Sequence, residues 1–395
     1  MTLGCYFLYN LITFDVPKNR VTWCCKQTEG NTLSSFNPHE YYNDPVLTDI
    51  RESLKNNIKH KICDICWKAE ANGLTSWRLT EEGLIPPHIK NIDDFKTQVT
   101  RLEIKLDNTC DLACIYCGPW DSTTWQKEHK KHKFHNYEID DLQLNLQDKI
   151  INTIKTIGQY NKTLEIGFVG GEPFLSKHLK DGKFKKFVDA YFATAGVAAS
   201  LTLKFVTNAN TPTKILSKTL KTLEQTKRQY PNLNIHVALS LESTKQYTEV
   251  SRFGSTWDHV DTNIRTWLSY NWINITINTA FNSLTLADLP NFIDYLKDVF
   301  AHRKISISPN IVYWPVGLTP SVLPVEYQTI INVAIEKLST MQNMFVDDND
   351  CGYDRFMRTL IDIKTSLGTT PQYLVDYQRH IDYITKIRKM EIPNG

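Results

Sequence analysis

Residues 101–117 read RLEIKLDNTCDLACIYC. Residues 101–106 form a short run of strand-forming type. Four residues on, Cys110-Asp-Leu-Ala-Cys114-Ile-Tyr-Cys117 sets three thiols in a C-x3-C-x2-C spacing. A tight loop of this spacing aims three thiolates at one cuboidal iron–sulfur cluster. Three of its four irons are then held, and the fourth stays open to a ligand that reacts there. Tyr116 puts a flat ring beside the cluster, suited to line a purine pocket. The alternative is zinc, which wants four ligands in a closed tetrahedron; His129, His132 or His135 would supply the fourth.

Downstream, five more short runs rich in β-branched or aromatic residues follow, at 164–169, 201–206, 235–241, 273–279 and 305–312. The spacers are long enough for a helix and its loops. Residues 142–160 carry Leu144, Leu146, Ile150, Ile151, Ile154 and Ile157 at helical spacing. Strand–helix alternation implies a parallel sheet. Six such units predict an α/β fold, a partial (β/α)6 TIM-like barrel, with an open doubly wound sheet as the structural rival. The second run ends in Val169-Gly170-Gly171-Glu172-Pro173, where paired glycines permit close backbone approach and Glu172 can accept from an ammonium group. Polar residues also close the later runs: Thr207-Asn208-Ala209-Asn210, Ser240-Leu241-Glu242 and Asn278. Parallel barrels build their sites at these carboxyl ends. For Glu242 and Asn278 a helix cap or turn reads equally well.

Hydrophobic residues make up 41% of 395, enough for one large core or a core plus a small second unit. A formal net charge of +2 with 22% charged residues predicts no broad nucleic-acid or membrane surface. No run of about 18 apolar residues suggests a membrane span. The apolar start, MTLGCYFLYNLITF, lacks the basic region and cleavage site of a secretion signal. The expectation is a soluble cytoplasmic protein. Nine cysteines, eight of them within the first 117 residues, suit metal or redox chemistry in a reducing compartment better than disulfides. Residues 1–95 hold Cys5, Cys24, Cys25, Cys63 and Cys66, enough thiolates to ligate a second cluster fully, or a structural zinc. The division expected is 1–95 cysteine-rich, 96–319 barrel and 320–395 helical extension, the last a packing element. Trp77, Trp120, Trp125 and Trp314 are aromatic candidates for a substrate wall, with burial in the core as the default.

The loop Cys110, Cys114, Tyr116, Cys117 resembles the signature of the radical S-adenosylmethionine superfamily, C-x3-C-x-Φ-C with Φ aromatic. In that family the loop follows the first strand of a six-stranded partial barrel. Gly170, Gly171, Glu172 and Pro173 resemble the motif that holds the amino group of S-adenosylmethionine. The resemblance implies Asn208 and Ser240 for the ribose and Arg252 for the carboxylate of that cofactor. The N-terminal segment resembles the auxiliary-cluster modules called twitch or SPASM domains. Asn19 there stands where the family has glycine before Cys24, and Cys63-x2-Cys66-x3-Glu70-x2-Gly73-x2-Ser76-x-Arg78 is similar to twitch-type proteins. The module usually follows the barrel; here it precedes it.

The resemblance therefore implies an enzyme with a [4Fe–4S] cluster on Cys110, Cys114 and Cys117. It cleaves S-adenosylmethionine reductively to a 5′-deoxyadenosyl radical and takes hydrogen from a substrate. A second, auxiliary [4Fe–4S] cluster is implied on Cys5, Cys24, Cys25, Cys63 and Cys66. The substrate is expected to be a peptide or protein, with a nucleotide or sugar as the alternative, and the electron donor a flavodoxin or ferredoxin. A non-enzymatic, zinc-stabilised binding protein is the rival from another class.

Overall fold

A computed structural model describes residues 4–24, 27, 30–71, 76–80, 99–133, 145–349 and 351–393. Cys25, His135 and the boundary expected at 95/96 lie outside them. Eleven strands occur among the described residues: β1 (Leu11–Asp15), β2 (Arg20–Thr22), β3 (Asn31–Thr32), β4 (Arg101–Lys105), β5 (Ala113–Cys114), β6 (Thr163–Phe168), β7 (Ser200–Thr207), β8 (Leu233–Ser240), β9 (Arg252–Phe253), β10 (Asn274–Asn278) and β11 (Ile307–Ser308). The chain divides into two compact units. One comprises Met1–Asn108, Glu138–Phe205 and Ser217–Ile235; the other Thr109–Tyr137, Val206–Leu216 and His236–Gly395.

In the first unit, β7, β6, β4 and β1 lie side by side and parallel, in the order β7-β6-β4-β1. β2 and β3 extend this sheet antiparallel. The strand β1 was not foreseen. Its run Leu11-Ile12-Thr13-Phe14 is almost wholly buried and pairs with β4 residue for residue, from Leu11↔Arg101 to Asp15↔Lys105. The N-terminal segment is thus part of this sheet. Strand β7 buries every second residue (Leu201, Leu203, Phe205), the period-2 signature of a pleated strand. Phe205 packs against Phe168, Phe174 and Phe184 with ring centroids 5.0–5.7 Å apart.

The helix Asn145–Tyr160 buries Leu146, Ile150, Ile154 and Ile157, four of the six residues expected on its face; Ile151 is half-buried and Leu144 lies outside the described residues. It runs close beside the helix Lys185–Ala195. Gly158 makes that approach possible, since a Cβ there would stand 2.2 Å from Thr194 Oγ1 and 3.1 Å from the Tyr191 carbonyl. Gly158→Val is therefore expected to cost about 1–3 kcal/mol through overpacking, read as a lower urea midpoint.

In the second unit, β8, β10 and β11 are parallel, and β5 pairs antiparallel with β9. The last run was expected over 305–312, yet only Ile307–Ser308 keeps ladder geometry. Pro309 has no N–H to donate, which breaks the ladder. Isolated bridges, Ile305↔Phe345 and Phe281↔Ile311, replace it. The helices Gln328–Ser339, Tyr353–Ser366 and Leu374–Asp382 follow. An apolar cluster joins Ile115, Val250, Leu284, Val312, Leu318 and Ile384. No helix among the described residues is long and apolar enough to cross a membrane.

Candidate functional site

The cysteine loop is built in the second unit by contacts on three sides. Cys114 lies in β5 opposite Arg252, and Ile115 N–H donates to the Ser251 carbonyl at 2.9 Å. The helix Thr123–His132 closes the loop from the other side. Ser122 caps it, accepting from Thr124 and Trp125 N–H at 3.2 Å, and donates to the Leu112 carbonyl at 2.5 Å. Thr123 and Thr124 hydroxyls donate to the Cys110 carbonyl at 3.0 and 2.8 Å. Trp125 Nε1 donates to the Cys114 carbonyl at 2.8 Å. The third contact comes from the end of β7. Asn208 and Asn210 each donate to one oxygen of Asp111 at 2.8 Å, and Asn208 Nδ2 stands 3.8 Å from Cys110 Sγ. Asp111 was not singled out from sequence; its carboxylate is what the two asparagines hold.

Beneath the loop is a buried charged network. Glu242 is 0% exposed and Arg252 4%. The guanidinium grips Glu242 through Nε at 3.1 Å and Nη2 at 2.5 Å. Tyr116 OH and Ser251 Oγ donate to Glu242 at 3.0 and 3.1 Å. Burial disfavours the charge on Arg252, but the neighbouring Glu242 outweighs it and raises the guanidinium pKa. Burial pushes the Cys114 thiol up, and the Arg252 charge pulls it back. Arg252, expected for a cofactor carboxylate, is paired through Nε and Nη2 with Glu242, as a buried cation needs a counterion. Glu242 is neither cap nor turn residue; it is that counterion. Ser240, half-buried at the end of β8, pairs in register with Asn278.

In the first unit, Gly170 (φ 76°) and Gly171 (φ 49°) turn the chain after β6 in the left-handed region. A Cβ at Gly170 would stand 2.4 Å from Lys105 Cγ, so only glycine fits beside that stem. Lys105 faces Asp15 at 3.8 Å. Glu172 is fully buried, with one carboxylate oxygen accepting from Phe174 N–H at 3.1 Å. Pro173 completes this turn, its carbonyl accepting from Ser176 N–H at 3.2 Å.

Of the N-terminal cysteines, Cys5 and Cys66 are buried and Cys24 and Cys63 half-buried. Burial pushes the Cys5 thiol up to about 12, and the charges of Cys63 and Cys66 add to it. Burial likewise takes Cys63 up to about 11, with Cys66 raising it and Arg78 lowering it. The Glu70, Ser76 and Arg78 pattern acquires a physical meaning. Arg78 Nη2 donates to Glu70 at 2.5 Å and Nη1 to the Gly4 carbonyl at 3.2 Å. Ser76 donates to the other Glu70 oxygen, and the guanidinium lies 4.5 Å over Trp67. Cys24 is half-buried, and Thr22 Oγ1 donates to its carbonyl at 3.0 Å. Asn19, which stands where the auxiliary-cluster modules have glycine, adopts a left-handed backbone, φ 48°. All the described cysteines are free of disulfides.

The donor chemistry fits iron–sulfur ligation at 110–117: three thiols, one buried and two half-buried, on a loop held from three sides. Among the described residues no three His, Cys, Asp or Glu side chains are grouped for a single metal ion. His129 stacks edge-on against Trp125, ring centroids 5.5 Å apart. Of the tryptophans, Trp125 is buried and Trp77 half-buried against Phe7, whereas Trp120 and Trp314 are 42% and 70% exposed, against the default of burial.

Residues 104–296, which hold both the cysteine loop and the GGEP turn, match the family model described as the Radical SAM superfamily. No curated protein matches the chain. Solved structures similar to it include native anSMEcpe with bound AdoMet, at 16% identity over 61% of each chain and a TM-score of 0.45. The same protein with bound AdoMet and the Kp18Cys peptide matches at 16% identity over 61% of each chain, TM-score 0.42. The cobalamin-dependent S-adenosylmethionine radical enzyme OxsB matches at 13% identity over 86% of this chain and 48% of that one, TM-score 0.36. The chain thus spans about three fifths of the length of the first of these.

Proposed function

We propose that this chain is a radical S-adenosylmethionine enzyme whose [4Fe–4S] cluster is held by Cys110, Cys114 and Cys117. The observation that carries the reading is the three-thiol loop itself, braced by β9, by the helix after it and by Asn208 and Asn210, inside a segment matching the superfamily. When bound, the cluster supplies one electron that breaks a carbon–sulfur bond of S-adenosylmethionine, giving the radical that takes hydrogen from the substrate. Three thiolates leave one iron for the amino acid end of that cofactor. The buried Glu172 carboxylate is suited to accept from its ammonium group, with Gly170 and Gly171 permitting close approach. Asn208 and Ser240 are the candidates for the ribose. Asn208 also places an N–H near Cys110 Sγ, a contact that stabilises a thiolate. Arg252 serves the site through Glu242 and Tyr116, keeping the loop in place.

Cys5, Cys63 and Cys66, with Cys24 or Cys25 as a fourth ligand, are proposed to hold an auxiliary [4Fe–4S] cluster. This is supported by the number of thiols in that segment and by the Glu70–Ser76–Arg78 network beside Trp67. A peptide or protein is the substrate favoured by the likeness of that segment to auxiliary-cluster modules, and a flavodoxin or ferredoxin is the proposed electron donor.

The test is iron and acid-labile sulfide per chain after anaerobic reconstitution, for wild type and for the Cys110/Cys114/Cys117→Ala variant. About eight irons falling to about four is expected. About four falling to none would keep the loop cluster and turn the N-terminal cysteines into a zinc or structural site. A colourless, air-stable wild type that takes up zinc and no iron would overturn the enzyme reading.

A further inference from the structure

The C-terminal segment, which sequence reading treats as packing, reaches the back of the cysteine loop. After the helix Leu374–Asp382 the chain makes a π-turn, Tyr383–Ile387, closed by Arg388 N–H donating to the Tyr383 carbonyl at 3.2 Å. Single π-turns of this kind are uncommon and cluster at functional sites. The turn buries Arg388 to 8% exposure. Its guanidinium carbon lies 4.4 Å from the Phe253 ring centroid, 4.6 Å from Trp125 and 5.2 Å from Tyr383. Nε and Nη2 donate to Glu128 at 3.0 and 3.4 Å, and Tyr383 OH donates to the same carboxylate.

Two of these neighbours, Trp125 and Phe253, touch the cysteine loop. Trp125 donates its indole N–H to the Cys114 carbonyl, and Phe253 pairs with Ala113 across β5 and β9. Ile384 of the π-turn shares an apolar cluster with Ile115. A planar guanidinium suits a seat between aromatic faces, where a lysine ammonium would be poorly matched. Burial does not explain the choice of a charged residue, since an apolar side chain would fill the same space at no desolvation cost.

We infer that Arg388 is a positioning residue for the Cys110–Cys117 loop and that the Arg388–Glu128 pair sets the reduction potential of the cluster held there. The inference rests on the function proposed above. A reduced cluster carries one more negative charge than an oxidised one. A cation in a low-dielectric setting close to a ligand therefore favours reduction, and the Glu128 carboxylate opposes it.

The experiment is a mediated redox titration followed by electron paramagnetic resonance, on full-length reconstituted protein, with iron measured for every variant. Cys5, Cys63 and Cys66 are replaced in all samples so that one cluster is read. Arg388→Gln should move the potential to more negative values and Glu128→Gln to more positive ones, while Arg388→Lys stays near the parent. A loosened loop would not move the two charge-removing variants in opposite directions. Potentials equal to the parent's, or shifts of the same sign in both, with iron retained, overturn the inference and leave the proposed function standing. If Arg388→Gln fails to fold, the Glu128→Gln arm decides: an upward shift supports the inference and none overturns it. A parent protein that binds no iron at the loop overturns the function and the inference together.

Discussion

Cys114→Ala is expected to reduce the formation of 5′-deoxyadenosine from S-adenosylmethionine, in reconstituted protein with dithionite, to the level of a sample without enzyme. Cys114 is the buried member of the triplet, sits in β5 under the β9 clip, and has its carbonyl held by Trp125. Alanine brings no thiolate to this position, and Cys110 and Cys117 are already assigned to the other two irons. Cys351→Ala is the matched control. It also removes one half-buried thiol but lies outside the loop, so it should leave cleavage unchanged. Cleavage by the Cys114 variant at the parent rate would refute the assignment of the loop.

The second large effect concerns stability. Glu242→Ala is expected to cost about 3–5 kcal/mol in urea unfolding, because it strands the Arg252 cation in a site with 4% exposure. Tyr116 and Ser251 would lose their acceptor as well. Their loss adds the cost of unpaired buried hydroxyls, about 1–3 kcal/mol each at most. The double variant Glu242→Leu/Arg252→Met should recover most of the loss, since removing both charges leaves neither unpaired. A single variant that costs under about 1 kcal/mol would show that water or another group already serves Arg252. The two experiments separate chemistry from support: the first acts on a proposed cluster ligand, the second on what holds the cysteine loop.

Much of this protein is legible in short stretches. The runs 101–106, 164–169, 201–206, 235–241 and 273–279 correspond to β4, β6, β7, β8 and β10 within a residue or two at each end. Strand-forming residues bounded by turn residues are a local signal, so sequence carries it well. The spacing of Cys110, Cys114 and Cys117 is likewise local, and so is the need for glycine at Gly170. The last run misled because Pro309 outweighs the β-branched residues around it.

The amino-acid sequence by itself determined the parallel α/β class, the three-thiol loop and the turn that follows β6, because each depends on residues close together in the chain. Only the tertiary structure decided that β1 joins β4, that Arg252 pairs with Glu242, and that Arg388 returns to the back of the cysteine loop. These are pairings between distant segments. A buried strand finds its neighbour by register, and a buried charge finds its counterion by proximity, and neither leaves a mark in the residues around it.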